Sequence, residues 1–136
     1  MASFPAVRAI IERTPIRLFN HGKMRRDFTH IADVSRVVSK LIDRIPEADP
    51  AAGGVRAKVY NVGNHRPEEL LHVVSLIEQE LGRTARKEML PMQPGDVPET
   101  FADIEELTRD TGFRPQTPIE DGIRDFVAWY REYYKI

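Results

Sequence analysis

The sequence predicts a small α/β domain with few, short strands and about five helices. Three observations predict it. Apolar residues recur at helical spacing over 34–42, 67–81 and 118–134. Shorter runs alternate at strand spacing, and prolines and glycines punctuate the chain between them. At 136 residues the chain fits one domain over residues 1–136, long enough to bury a core of its own.

In chain order, Phe4 to Glu12 reads as a short helix with Val7, Ile10 and Ile11 on one face. "PIRLFN", 15–20, alternates through Ile16 and Leu18 and is expected as a strand. "DFTHI", 27–31, reads as a second strand, and the basic turn between the two suggests a hairpin. Asp33 stands where an N-cap would open a helix through Val34, Val37, Val38, Leu41 and Ile42. "PEADPAAGG", 46–54, is a loop of breakers, and "AKVYNVGN", 57–64, a strand ending at Gly63. Pro67 is expected to open the next helix, with Leu70, Leu71, Val74, Ile77 and Leu81 as its stripe and Gly82 as its stop. "KEMLPMQPGDVPET" is extended and broken by prolines. A helix runs from Asp103 to near Gly112. The last helix is capped at Thr117, starts at Pro118, and buries Ile123, Phe126, Val127 and Tyr130. No internal repeat or low-complexity segment interrupts this order.

Composition removes several function classes. Twenty Lys plus Arg against 21 Asp plus Glu leave a net charge of -1, which gives no general affinity for nucleic acid or an anionic membrane. Any anion site must be local. With no cysteine there is neither a disulfide framework nor a thiolate metal site, and a reducing, cytoplasmic setting is expected. The N-terminal stretch lacks the apolar core and cleavage site of a signal peptide, and no segment reaches the roughly 20 apolar residues of a membrane span. His21, His30, His65 and His72 show no HxxxH or HxH spacing, so no metal site is expected; His72 reads as half-buried packing.

Two stretches stand out. "NHGKMRRDFTH", 20–30, packs His21, Lys23, Arg25 and Arg26 around Gly22. Such a cluster is either a solvated turn protecting a strand edge or an anion clamp, since an arginine fork binds two phosphate oxygens at once. Adjacent strand residues point to opposite faces, so only one of Arg25 and Arg26 enters a given pocket. "LPMQPGDVPETFAD", 90–103, has its path stiffened by three prolines and a glycine. Such a loop holds Asp96 in one place, either as the acceptor for a pair of sugar hydroxyls or as the cap of a turn after Gly95.

The runs "FNHGKMRRDFTHIADV", "YNVGNHRPEEL", "LPMQPGDVPETFADIEEL" and "TGFRPQTPIEDGIRDFVAWYREYY" resemble, in order, the C-terminal half of the nucleotide-sugar epimerases of the extended short-chain dehydrogenase/reductase family, and within it the UDP-glucuronate 4-epimerases. The resemblance implies a small C-terminal α/β domain without the main Rossmann half. It implies that Arg26 contacts the diphosphate of a UDP-sugar and Asp96 its ribose. Arg25, Gln93 and Phe28, in the same motifs, complete the implied substrate-binding set. Gln93 stands where many relatives carry a phosphate-binding arginine. His30 and Ala32 depart from the tyrosine and aspartate usual in the family.

In that family NAD carries the hydride and a YxxxK tyrosine is the base. This chain has neither YxxxK nor a GxxGxxG after a strand, so no catalytic or cofactor-binding residue is assigned, and the chain alone is expected to be inactive. Two functions remain in view. One is the substrate-binding part of an NAD-dependent UDP-sugar epimerase, either as a fragment or as one part of a split enzyme completed by a Rossmann-half polypeptide. The other is a non-catalytic remnant that binds a nucleotide weakly, self-associates, or docks a partner protein.

Overall fold

Strand-period burial in PIRL and a helical apolar stripe in each of three long segments settle where the chain turns inward. The computed structural model describes residues 3–51 and 53–136. Met1, Ala2 and, in the breaker loop, Ala52 lie outside the described residues. The elements run α1 (Ser3–Glu12), β1 (Pro15–Leu18), a 3-10 turn (Phe19–Gly22), β2 (Arg25–Asp27), α2 (Ile31–Leu41), β3 (Pro67–Glu69), α3 (Leu70–Leu81), β4 (Arg86–Met89), α4 (Glu105–Thr111) and α5 (Ile119–Tyr134). Among the described residues, five α-helices with a few short strands are the α/β composition read from the sequence. Within residues 1–136 the contacts gather in two units: 1–26 with 67–100 and 118–136, and 27–66 with 101–117.

In the first unit β1 lies parallel to β4, in register from Pro15 opposite Arg86 to Leu18 opposite Met89. Ile16 and Leu18 point inward while Pro15 and Arg17 stay exposed, the two-residue period of a half-buried strand. Val7, Ile10, Val73, Val74, Ile77, Ile123, Val127 and Tyr130 close the core with α1, α3 and α5. Each such Val, Leu or Ile contributes on the order of 1.5–3 kcal/mol by burial. A second, two-stranded sheet joins β2 and β3. Gly82, at φ 64, ends α3 where the sequence placed its stop.

In the second unit α2 packs on α4, and Val37, Ile104, Leu107 and Pro115 are among its buried apolar residues. Carboxylates do much of the remaining fastening. Asp27 accepts the backbone N–H groups of Asn64 (2.9 Å), His65 (3.1 Å) and Ala102 (3.1 Å). Asp33, 1% exposed, accepts those of Gln116 (3.1 Å) and Thr117 (2.9 Å). Asp110 takes the Tyr60 hydroxyl at 2.8 Å and the Lys58 ammonium, and these bonds hold its carboxyl down at about 2.

Several expectations are corrected. β1 and β2 form no hairpin, because each finds its partner far along the chain. The strand expected over 27–31 ends at Asp27, whose side chain turns to the loops at 64, 65 and 102. His30, not Asp33, caps α2: its Nδ1 accepts the Ala32 N–H at 3.4 Å, and Asp33 sits one turn in, bonded to residues 116 and 117. Residues 57–64 are extended but no strand, since no strand among the described residues lies beside them to form a ladder. Pro67 opens β3 rather than a helix, and α3 starts at Leu70, whose N–H reaches the Met24 carbonyl at 2.9 Å. β4 was hidden in the segment read as broken, because all four of its side chains are exposed and carry no apolar alternation. Pro118, not Thr117, occupies the N-cap position of α5, with no side-chain cap, and Thr117 turns to Asp33 instead. Phe126 is only half-buried. On α2, Val38 and Ile42 are exposed rather than inward.

Candidate functional site

The basic stretch begins with three consecutive residues at positive φ: Asn20 (49°), His21 (53°) and Gly22 (78°). Asn20 tolerates this region and ties the turn by donating from Nδ2 to the Lys23 carbonyl at 3.1 Å. Gly22 is required, because a Cβ there would sit 2.9 Å from Leu71 Cγ. The turn delivers the chain to β2, whose residues alternate. Arg25 is half-exposed, donates to Glu99 Oε2 at 2.7 Å and to the Pro67 carbonyl at 3.1 Å. Arg26 points to the other side, where its side chain keeps only 19% of its exposure.

The proline-rich loop is stitched to the same strand. The Arg25 N–H donates to the Pro98 carbonyl (2.8 Å), and the Thr100 N–H to the Arg25 carbonyl (3.1 Å). A turn from Gln93 to Asp96 is closed by the Asp96 N–H on the Gln93 carbonyl at 3.2 Å, with Gly95 at φ 82. Asp96 Oδ1 then does two things. It accepts the Val97 N–H at 2.8 Å, a local cap, and it meets Arg26 Nη2 at 3.0 Å. The two readings of Asp96 are thus not exclusive in this fold.

Arg26 Nη1 also donates to the carbonyls of Arg25 (2.9 Å) and Pro98 (3.3 Å). A guanidinium has five N–H donors, and these contacts fix its plane with three of them. The result is a part-buried cation held by main chain and a carboxylate held by a turn, side by side. That arrangement presents donors for an oxyanion next to acceptors for hydroxyls.

Of the residues singled out from sequence, Arg25, Arg26, Gln93 and Asp96 fall in the first unit. The Gln93 side chain is exposed, and its carbonyl closes the turn. Phe28 is half-buried in the second unit. The sequence reading missed Glu99 and the Pro98 carbonyl, which hold the two arginines; an acid three residues beyond Asp96 in the same loop was the available signal. The histidines are dispersed. His65 Nδ1 lies 3.1 Å from the Ala102 carbonyl with its ring 4.4 Å from Phe101, and half-buried His72 faces Glu120 at 3.4 Å. Among the described residues no group of three or more His, Asp or Glu could hold a metal ion, and no helix is long and apolar enough to cross a membrane.

Comparison with known proteins gives a consistent picture. The NAD dependent epimerase/dehydratase family matches residues 3–63. The protein CapI of Staphylococcus aureus is 44% identical over 144 residues, covering 99% of this chain and 43% of CapI. A probable UDP-glucuronate 4-epimerase of Rhizobium meliloti is 37% identical, covering 99% of this chain and 42% of that protein. The crystal structure of the UDP-glucuronic acid 4-epimerase of Bacillus cereus in complex with UDP-glucuronic acid and NAD superposes with a TM-score of 0.77 at 25% identity, over 96% of this chain and 40% of that one. The chain spans less than half the length of these relatives. In sequence and in fold, it resembles the C-terminal part of the nucleotide-sugar epimerases of the extended short-chain dehydrogenase/reductase family, and within that family the UDP-glucuronate 4-epimerases.

Proposed function

We propose that this chain is the UDP-sugar-binding part of an NAD-dependent nucleotide-sugar epimerase of the UDP-glucuronate 4-epimerase kind. The observation that carries the reading is the Arg26–Asp96 pair at 3.0 Å. Arg26 would turn its remaining donors to the diphosphate, and Asp96 would accept from the ribose hydroxyls. The incoming phosphate charge replaces part of what Asp96 neutralises, so the pair loosens without leaving a buried charge alone. The residues present do not fit NAD: among the described residues no glycine-rich turn follows a strand into a helix, and β1 runs into a 3-10 turn instead. No hydride step is therefore assigned to this chain, and in solution it binds without epimerising. Its cysteine-free composition suits the cytoplasm.

Titration with UDP, followed by amide chemical shifts, tests this reading. Shifts are expected over 20–27 and 93–99. Arg26→Ala should weaken binding at least tenfold, since a charge-assisted phosphate bond is worth about 1.5–3 kcal/mol. Arg25→Ala should weaken it less, because Arg25 faces Glu99. Shifts that avoid both segments would remove the site.

A specific observation also favours a partner. Ile31 (71% exposed), Val38 (53%) and Ile42 (73%) share one face of α2, opposite buried Val37, and Val59 beyond is 88% exposed. The occupant that fits is the dinucleotide-binding remainder of an epimerase, in the same or a separate polypeptide. Without it, light scattering over a concentration series should show growing mass, and a hydrophobic dye should bind. Ile42→Glu should suppress both. A constant monomer mass with no dye binding would refute the exposed face.

A further inference from the structure

At the edge of the strand pair where β1 and β4 begin, the first unit holds a hollow of about 340 Å³ lined by Ala9, Ile10, Arg13, Arg83, Thr84 and Arg86. Three separate elements each bring one arginine. Arg13 follows the end of α1, Arg83 the end of α3, and Arg86 opens β4 opposite Pro15. No carboxylate among the described residues pairs with any of the three, whereas Arg25 and Arg26 each have one. Arg83 Nη1 makes a long bond to the Ile11 carbonyl at 3.4 Å.

The helix ends explain only part of the cluster. Main chain already answers two of the last carbonyls in each helix, Thr14 N–H to Ala9 and Arg13 N–H to Ile10 in α1, Gly82 N–H to Gln79 and Arg83 N–H to Glu78 in α3, and Arg83 alone reaches another, that of Ile11. Arg13 is itself held at φ 58, a conformation that glycine ordinarily supplies at such a closure. Arg13, Arg83 and Arg86 are exposed and able to converge on one anion in the hollow they line.

We propose that this hollow is a second anion site, taking the dianionic phosphate group of inorganic phosphate or of a small phosphate ester. Arg13, Arg83 and Arg86 donate to its oxygens, and the Thr84 hydroxyl is at hand as a further donor. The site lies at the opposite end of β1 and β4 from Arg26 and Asp96, which follow the C-terminal ends of those strands. Four-residue strands rising about 3.3 Å per residue keep the two apart by roughly 10 Å or more, so one phosphate does not reach both.

The test is an amide chemical-shift titration of the 136-residue chain with inorganic phosphate and, separately, with glucose 1-phosphate. Saturable shifts are expected at 9–14 and 82–86. The triple variant Arg13→Gln/Arg83→Gln/Arg86→Gln should raise the dissociation constant about tenfold or more, and the Lys counterparts, which keep charge but lose the fork, should fall between. Should the triple variant fail to fold by circular dichroism, Arg86→Gln alone is read, since its side chain lies exposed at a strand end. Tighter binding of glucose 1-phosphate would identify an ester as the ligand, and equal binding the free ion; either supports the site. Shifts that do not saturate, that appear equally around isolated arginines such as Arg44 and Arg131, or that persist at unchanged affinity in the variant would overturn it. UDP shifts at 93–99 are read independently, so failure here leaves the nucleotide site standing.

Discussion

Asp33→Ala is expected to destabilise the second unit by about 3 kcal/mol, because it strands two backbone donors that bonded a charged acceptor. The carboxylate is 1% exposed, and the part-buried Gln116 and Thr117 N–H groups lose their acceptor with it. For a unit of this size that loss lowers the melting temperature by about 12 °C or more. Amide exchange at Gln116 and Thr117 should accelerate with it. The pH dependence identifies the cause. Burial raises the Asp33 carboxyl pKa, but the bonds from Thr117 and Gln116 and the nearby Arg36 outweigh it, and the net shift is downward from 3.8. A carboxylate with a lowered folded pKa contributes its stability in full above its unfolded value and loses it as pH falls through the folded one. The gap between the native chain and Asp33→Ala should thus be constant near neutrality and close as the pH drops below the ordinary aspartate range. Equal melting curves for the two proteins at pH 7 would refute the role given to Asp33.

Gly63→Ala should be comparably damaging although it adds one methyl group. That carbon would collide with Ala102 Cβ and lie 2.8 Å from Asp27 Oδ2. Neither neighbour can yield cheaply, since Asp27 already holds the N–H groups of Asn64, His65 and Ala102. Overpacking of this kind costs about 1–3 kcal/mol, and displacement of Asp27 adds to it. The double variant Gly63→Ala/Ala102→Gly removes the main collision and should recover part of the loss. Gly82→Ala is the control: nothing lies within 4 Å of the added carbon, and only the left-handed φ of 64 opposes it. Thermal melts of the four proteins decide it. If Gly63→Ala is as stable as the native chain, the close approach at Asp27 is not as described.

The parts of the fold legible in the sequence were those governed by short-range periodicity. α1, α3 and α5 carry apolar residues every three to four positions, and Gly82 and Gly112 stop their helices at φ 64. β4 was illegible for the converse reason: Arg86, Lys87, Glu88 and Met89 all face solvent, so nothing in the side chains marks a strand whose existence depends on β1 alongside. At the candidate site, the opposed directions of Arg25 and Arg26 follow from strand geometry, whereas Glu99 and the Pro98 carbonyl are about 70 residues distant and no local rule selects them.

By itself, the sequence determined the α/β class, the helices and the two motifs, Arg25–Arg26 and the Gln93–Asp96 turn, that resemble those of nucleotide-sugar epimerases. The tertiary structure alone decided which arginine meets Asp96, that Asp33 is a buried staple rather than a cap, and that Arg13, Arg83 and Arg86 surround one hollow. The physical reason is the range of the interactions. Helix and turn preferences act over about four residues and are written locally. Strand pairing, carboxylate-to-backbone bonds and charge clusters join residues tens of positions apart, and they exist only once the chain has closed on itself.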